Sequence, residues 1–217
     1  MRANVGSLAP VLKSWRQIYQ TYNILKQCED QMLEEYELSV EKLGVLAVIS
    51  SLGGSARIAD IAEWLERSPN SVSMIVDRMV KAGLVRRTRD RRDRRAVYVS
   101  ATTKGEVALK PAYAAVIELI RKIFQPLSHA DMNTMSGLLG TVKYEILKSS
   151  NPDVDIKEAE RIDSKKLADT ERWLNESGVL SVPEPKGQGK TKSKTPPIGP
   201  VSVTRAGWRK VGRKVTQ

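Results

Sequence analysis

Apolar residues recur at three- and four-residue steps through residues 8–150, and each such run predicts a helix with one buried stripe. The first run covers residues 8–37, with Val11, Trp15, Ile18, Tyr22, Leu25, Cys28 and Met32 on its stripe. The second is Glu41 to Ser51, broken by Gly53-Gly54. A short third run puts Ile58, Ile61, Ala62 and Leu65 on one face. Ser68-Pro69 then sets an N-cap hydroxyl directly ahead of a proline at the first helical position. The helix that follows carries Val72, Ile75, Val76 and Met79 as its apolar stripe, and Gly83 stops it where a left-handed cap is wanted.

The period then changes. Leu84-Val85, an arginine-loaded tip and the alternating run Ala96-Val97-Tyr98-Val99 predict two short strands of a hairpin. Helical spacing returns at Thr103-Lys104-Gly105-Glu106, which predicts a capping box. That helix runs to about Phe124 with Tyr113, Val116, Ile117 and Ile120 on one side, and Pro111 bends it. Ser128-His129-Ala130-Asp131 caps a further helix striped by Met132, Met135, Leu138, Leu139, Val142 and Ile146, in which Gly137 and Gly140 permit close backbone approach. Residues 151–182 mix charge signs around Ile156, Ala159, Ile162, Leu167, Trp173 and Leu174, the pattern of an extra amphipathic helix. From residue 183 onward the chain is rich in Pro, Gly and Lys and is expected to be disordered.

Helix, tight turn, helix and hairpin in that order is the grammar of a winged helix-turn-helix, a DNA-reading module. Its second helix turns Asn70, Ser71, Ser73, Met74, Asp77, Arg78 and Lys81 away from the apolar stripe. Small hydroxyls near the N-terminal end of such a helix suit close approach to base edges and phosphates in a major groove. The net charge of +11 sharpens this picture once it is located. Residues 85–95 carry a net +5 and residues 183–217 a net +8, which leaves −2 for the rest of the chain. Arginines crowded on a tight tip repel one another and need a polyanion. The tail carries the weaker signal, since a charge run there is equally well explained as a solvated extension.

Other chemistry finds little support. A single Cys and a single His exclude a Cys/His metal site, and no Ser/His/Asp or Cys/His arrangement has a suitable context. The expectation is a non-enzyme with no cofactor and no metal. VLSVPEPKGQGKT imitates a phosphate-binding loop, but Glu184 occupies the first glycine position and Pro196-Pro197 stand where a helix should follow. One cysteine, no secretory signal and no apolar run of membrane-spanning length predict a cytoplasmic protein without membrane contact.

The run DRMVKAGLVRRTRDRRDRRAVYVSATTKG resembles the signature of the multiple antibiotic resistance regulator (MarR) family. The likeness lies in the helix "DR", the "GLV-R" turn into the wing, the "D-x-x-D-R-R" tip and the "V-x-V-x-x-T-x-K-G" exit. It extends over roughly residues 8–148. It implies a mainly α fold with a small β-wing: a winged helix-turn-helix domain at residues 38–102 and a helical dimerisation region built from residues 1–37 and 103–150. The extra helix at 151–182 and the disordered basic tail at 183–217 have no counterpart in the family and come from the residue pattern alone. The likeness also implies that Val11, Trp15, Ile18, Tyr22, Leu138, Leu139, Val142 and Ile146 help form the dimer. Base and phosphate contacts then fall to Asn70, Ser71, Ser73, Met74, Arg78, Arg91, Arg92, Arg94 and Arg95. One wing arginine, Arg94 or Arg95, would enter the minor groove, braced by Asp93 or Asp90. The bland alternative, drawn from the residues themselves, is that one or two of the wing arginines only pair with those aspartates and with Asp77.

Two positions depart from the family pattern. The turn usually reads Gly-Val-Ser and here reads Glu66-Arg67-Ser68, and Met74 stands where relatives often carry a guanine-reading arginine. Methionine can make only apolar contact, for instance with a thymine methyl. Some relatives sense peroxides through a cysteine in the first helix. Cys28 on its apolar stripe beside Glu29 and Asp30 instead predicts a buried structural residue.

The leading expectation is a homodimeric repressor that binds a pseudo-palindromic double-stranded operator and is released by a small-molecule effector. The alternative is an architectural protein that coats DNA without sequence preference, using wing and tail. A third reading, an interaction subunit that has lost DNA binding, conflicts with the arginine-rich wing.

Overall fold

The computed structural model describes residues 5–89 and 97–179. Along the chain it contains α1 (Val5–Leu33), a 3-10 turn (Glu34–Tyr36), α2 (Val40–Ser51), β1 (Ser55–Arg57), α3 (Ile58–Trp64), α4 (Pro69–Lys81), β2 (Val85–Arg89), β3 (Val97–Ala101), α5 (Thr103–Phe124), α6 (His129–Ser150) and α7 (Ile156–Ser177). This is the mainly helical winged-helix fold expected from the sequence. The disordered tail expected at 183–217 falls outside the described residues.

Helix α2 is the centre of the core. Leu43, Val45, Leu46, Val48 and Ile49 are all buried, so it is covered on nearly every side. Ser39 caps it by accepting from the Lys42 N–H, and Asp30 Oδ1 of α1 accepts from the Val40 N–H at 2.9 Å. α1 thereby supplies one of the donors' partners that every helix start needs. Lys26 pairs with Asp30 at 2.6 Å and with Glu41 at 3.2 Å, tying the same two helices. The first helix ends at Leu33, short of the expected residue 37, and Glu37 turns into a left-handed conformation with φ of 56°.

Around α2 sit α3, α4 and a small antiparallel sheet ordered β1-β3-β2. Strand β1 was not foreseen. Gly53 and Gly54, both at positive φ, deliver the chain into three residues that pair with β3, Ala56 opposite Val99. Helix α4 starts as expected, with Ser68 Oγ accepting from the Ser71 N–H and Pro69 at the first position. It ends in a Schellman arrangement: Gly83 (φ 71°) donates to Val80 O and Leu84 donates to Met79 O.

The cap of α5 corrects the sequence reading. Thr102, rather than Thr103, is the N-cap, and its Oγ1 accepts from the Gly105 N–H. The same hydroxyl reaches Gly83 O at 2.6 Å and Leu84 O at 3.1 Å. A threonine at the end of β3 can serve both the helix start and the orphan carbonyls after α4, whereas Thr103 is already inside the helix. Helix α6 does start with the expected capping box, Ser128 with Asp131. Residues 151–182 do hold a helix, α7, capped by Asp155 and ended by Gly178. Among the described residues no helix is long and apolar enough to cross a membrane.

Gly105 packs so tightly that a Cβ there would lie 2.2 Å from the Leu84 carbonyl oxygen and 3.1 Å from Leu46 Cδ2. Alanine is favoured over glycine in a helix by about 1 kcal/mol, but overpacking against backbone costs about 1–3 kcal/mol. With the clash against backbone putting the cost at the upper end of that range, Gly105→Ala is expected to destabilise the fold by up to about 2 kcal/mol in urea unfolding. An unchanged or raised midpoint would show that this contact relaxes freely.

Candidate nucleic-acid interface

Helix α4 is two-faced. Val72, Ile75, Val76 and Met79 are buried, and Asn70, Ser71, Asp77, Arg78 and Lys81 are exposed on the other side. Ser73 is half-buried, and Met74 is 66% exposed. The Met74 side chain therefore stands on the solvent face of the helix and takes no part in the core. At the helix start the Ser68 and Ser71 hydroxyls lie 2.9 Å apart, beside backbone N–H groups that favour an anionic partner.

The wing is fastened to this helix by Arg87. Its Nη1 lies 2.9 Å from Asp77 Oδ1, and its Nη2 donates to both the carbonyl O (3.2 Å) and the Oγ (3.0 Å) of Ser73. The planar fork of arginine suits this two-sided grip. The expectation that Asp77 pairs with a wing arginine is met by Arg87. That residue was not singled out, although strand alternation puts it on the same face as buried Val85, toward α4. It also leaves Asp77 and part of Ser73 committed to holding the wing.

Strand β2 pairs with β3 from Val85 opposite Ala101 to Arg89 opposite Val97. The remaining wing candidates, Asp90, Arg91, Arg92, Asp93, Arg94 and Arg95, lie outside the described residues.

The turn between α3 and α4 takes the conformation that the family's glycine would supply. Glu66 has φ of 52°, and its Oε1 sits 3.5 Å from Lys143 Nζ and 3.7 Å from Lys166 Nζ. At the end of β1, Arg57 grips Asp60 of α3 through two bonds of 2.9 and 2.7 Å, and this hydrogen bonding holds the Asp60 carboxyl below its ordinary range. The Asp163 carboxyl is pushed up by burial, but hydrogen bonds from Lys143 and Tyr144 prevail and leave it lowered.

The predicted dimerisation residues form two exposed apolar stretches. Val11, Trp15, Ile18 and Tyr22 project from α1, and Leu138, Leu139, Val142 and Ile146 from α6. Trp15 and Tyr19 also pair on α1, ring centroids 4.9 Å apart. Cys28 is half-buried rather than fully buried, and His129 is exposed at the start of α6. Among the described residues no group of three His, Cys, Asp or Glu side chains is arranged to hold a metal.

Residues 36–96 match the MarR family. The HTH-type transcriptional repressor MdtR of Bacillus subtilis is 30% identical over 115 residues, which cover 50% of this chain and 72% of MdtR. Two solved structures share the fold. The organohalide-sensing regulator RdhR, bound to 2,4-dichlorophenol, superposes with a TM-score of 0.63 at 22% identity, covering 70% of this chain and 90% of its own. A mutant of MarR from E. coli, complexed with operator DNA, gives 0.56 at 20% identity, covering 62% and 96%.

The Arg87–Asp77 contact is partly exposed, with side-chain accessibilities of 33% and 54%. A double-mutant cycle of Arg87→Ala and Asp77→Ala should give a coupling of about 0.2–1 kcal/mol in stability, the range of solvent-screened pairs. A coupling of zero would mean that Asp77 adds nothing to the hold of Arg87 on α4, which would then rest on its bonds to Ser73.

Proposed function

The chain belongs to the MarR family of transcriptional regulators, and we propose that it is a cytoplasmic, homodimeric repressor of sequence-specific type, released from a pseudo-palindromic double-stranded operator by a small-molecule effector. The observation that carries this reading is the outward face of α4, with Met74 two-thirds exposed at its centre and Arg87 locking the wing strand to its edge.

In this reading α4 lies in the major groove. Asn70, Ser71, Ser73 and Arg78 supply polar contacts to base edges and phosphates, and Met74 supplies an apolar one. Arg91, Arg92, Arg94 and Arg95 meet the backbone and the neighbouring minor groove, where a planar guanidinium is favoured, with Asp90 or Asp93 as brace. Two copies of α4 would engage half-sites about one helical turn apart. The exposed stretches on α1 and α6 support the dimer, because apolar faces of this kind mark association surfaces.

Repression is supported by the likeness to MdtR, a transcriptional repressor. An effector is supported by the dichlorophenol bound to the structurally similar RdhR. Release requires that the effector bind the two spacings of the reading heads with different affinity. A second reading, architectural binding without operator preference, draws on Met74, which cannot fork onto a base, and on the basic stretch 183–217.

Arg94→Ala combined with Arg95→Ala removes two charge-assisted contacts of about 1.5–3 kcal/mol each, so DNA affinity should fall by about 100-fold or more. The slope of log affinity against log salt should shrink by about two. Sedimentation should show an unchanged dimer. Undiminished affinity would remove the wing from the interface, and a monomer would remove the homodimer.

A further inference from the structure

Helix α7 lies outside the residues 36–96 that match the family, and it is tied to two parts of the molecule at once. On one side Asp163 accepts from Lys143 Nζ at 2.7 Å and from the Tyr144 hydroxyl at 2.8 Å, both on α6. On the other side Lys166 Nζ donates to the Glu63 carbonyl at 2.9 Å, in the last turn of α3. Near the far end of α7, Trp173 is 9% exposed. Its Nε1–H donates to Ser50 Oγ of α2 at 2.9 Å, and its ring meets Tyr113 of α5 edge-on with centroids 4.9 Å apart.

The node of these ties is Glu66, the left-handed residue of the helix-turn-helix. One carboxylate oxygen there faces Lys143 of α6 and Lys166 of α7 together. A left-handed glutamate is a strained choice where glycine would serve, and it places a negative charge where two lysines converge. Between its anchors α7 is not packed continuously on the head. A groove of about 510 Å³ separates it from α3, β1 and Tyr98. The helix therefore holds the head at points, as a brace does.

We propose that α7 is a strut that fixes the angle between the reading head and the α5–α6 lobe, and so sets the half-site spacing this protein accepts. The inference about spacing rests on the DNA-reading function proposed above; the bracing itself does not. Isolated exposed ion pairs contribute little, but these share one carboxylate and are backed by a buried tryptophan. Because the lobe carries the apolar stretch of α6, any tilt of the head on the lobe changes the distance between two recognition helices in a dimer.

The test uses the full chain with Lys166→Ala combined with Trp173→Phe, which keeps an aromatic ring but cannot donate to Ser50. Hydrogen exchange of the free protein should quicken by about three-fold or more at residues 63–68 while residues 45–49 of the core are unaffected, since local opening is read at the amides it releases. On duplexes whose half-sites are moved apart or together by single base pairs, a wild-type preference for one spacing of about ten-fold should flatten to about three-fold or less. Unchanged exchange at 63–68 overturns the strut, as does acceleration shared equally with the core, which would mark general destabilisation. A variant that keeps the wild-type spacing preference overturns the spacing role. If wild-type protein shows no spacing preference at all, the operator reading fails, and the exchange measurement alone decides whether α7 braces the head.

Discussion

Met74 and Arg78 can face outward only because Val72, Ile75, Val76 and Met79, on the other side of the same helix, are withdrawn from water among α2, α3 and the sheet. Burying one such side chain contributes roughly 1.5–3 kcal/mol, so four of them contribute about 6–12 kcal/mol before chain entropy is set against them. The Arg87–Asp77 grip is worth an order of magnitude less. Packing therefore sets the rotation of α4 about its axis, and the ion pair only fastens the wing strand to a helix already oriented. A rotation of one residue would carry Arg or Asp into an apolar core, which is why the readable face has no competing register.

The elements legible in both pattern and packing are those whose apolar stripe is buried among the described residues. For α2, α3 and α4 the apolar stripe, the Ser68-Pro69 start and the Gly83 stop all point to one arrangement, and the structure has it. Strand β1 was hidden because three residues are too few to show alternation, and it exists through backbone pairing with β3, with Ala56 its one inward side chain. The choice between Thr102 and Thr103 as cap could not be made from spacing alone. It is decided by carbonyls of Gly83 and Leu84, which become neighbours only after the hairpin folds.

In the interface, the face of α4 was readable residue by residue, but the division of labour among the arginines was not. Arg86 and Arg87 differ only in which face of β2 they occupy, and that difference makes Arg87 a fastener of the wing. Helix α7 was visible as an amphipathic stretch with an untidy period. Its few inward residues meet separate partners on α2, α5 and α6 rather than one continuous groove, so no single stripe had to form. The reverse holds for α6, which has a regular stripe and no buried residue, and for α1, where Leu33 is the one fully buried side chain among those described. Periodicity there reports a surface left uncovered among the described residues, the surface that the proposed homodimer would use.

Selection of bound duplexes from a random pool with the purified 217-residue chain at near-physiological salt tests most directly whether α4 and the wing, presented twice, read a defined sequence. The account predicts a two-fold-symmetric motif whose half-sites lie about one helical turn apart. Tight, steeply salt-dependent binding that enriches no motif would contradict it and leave architectural binding as the function of the same surface.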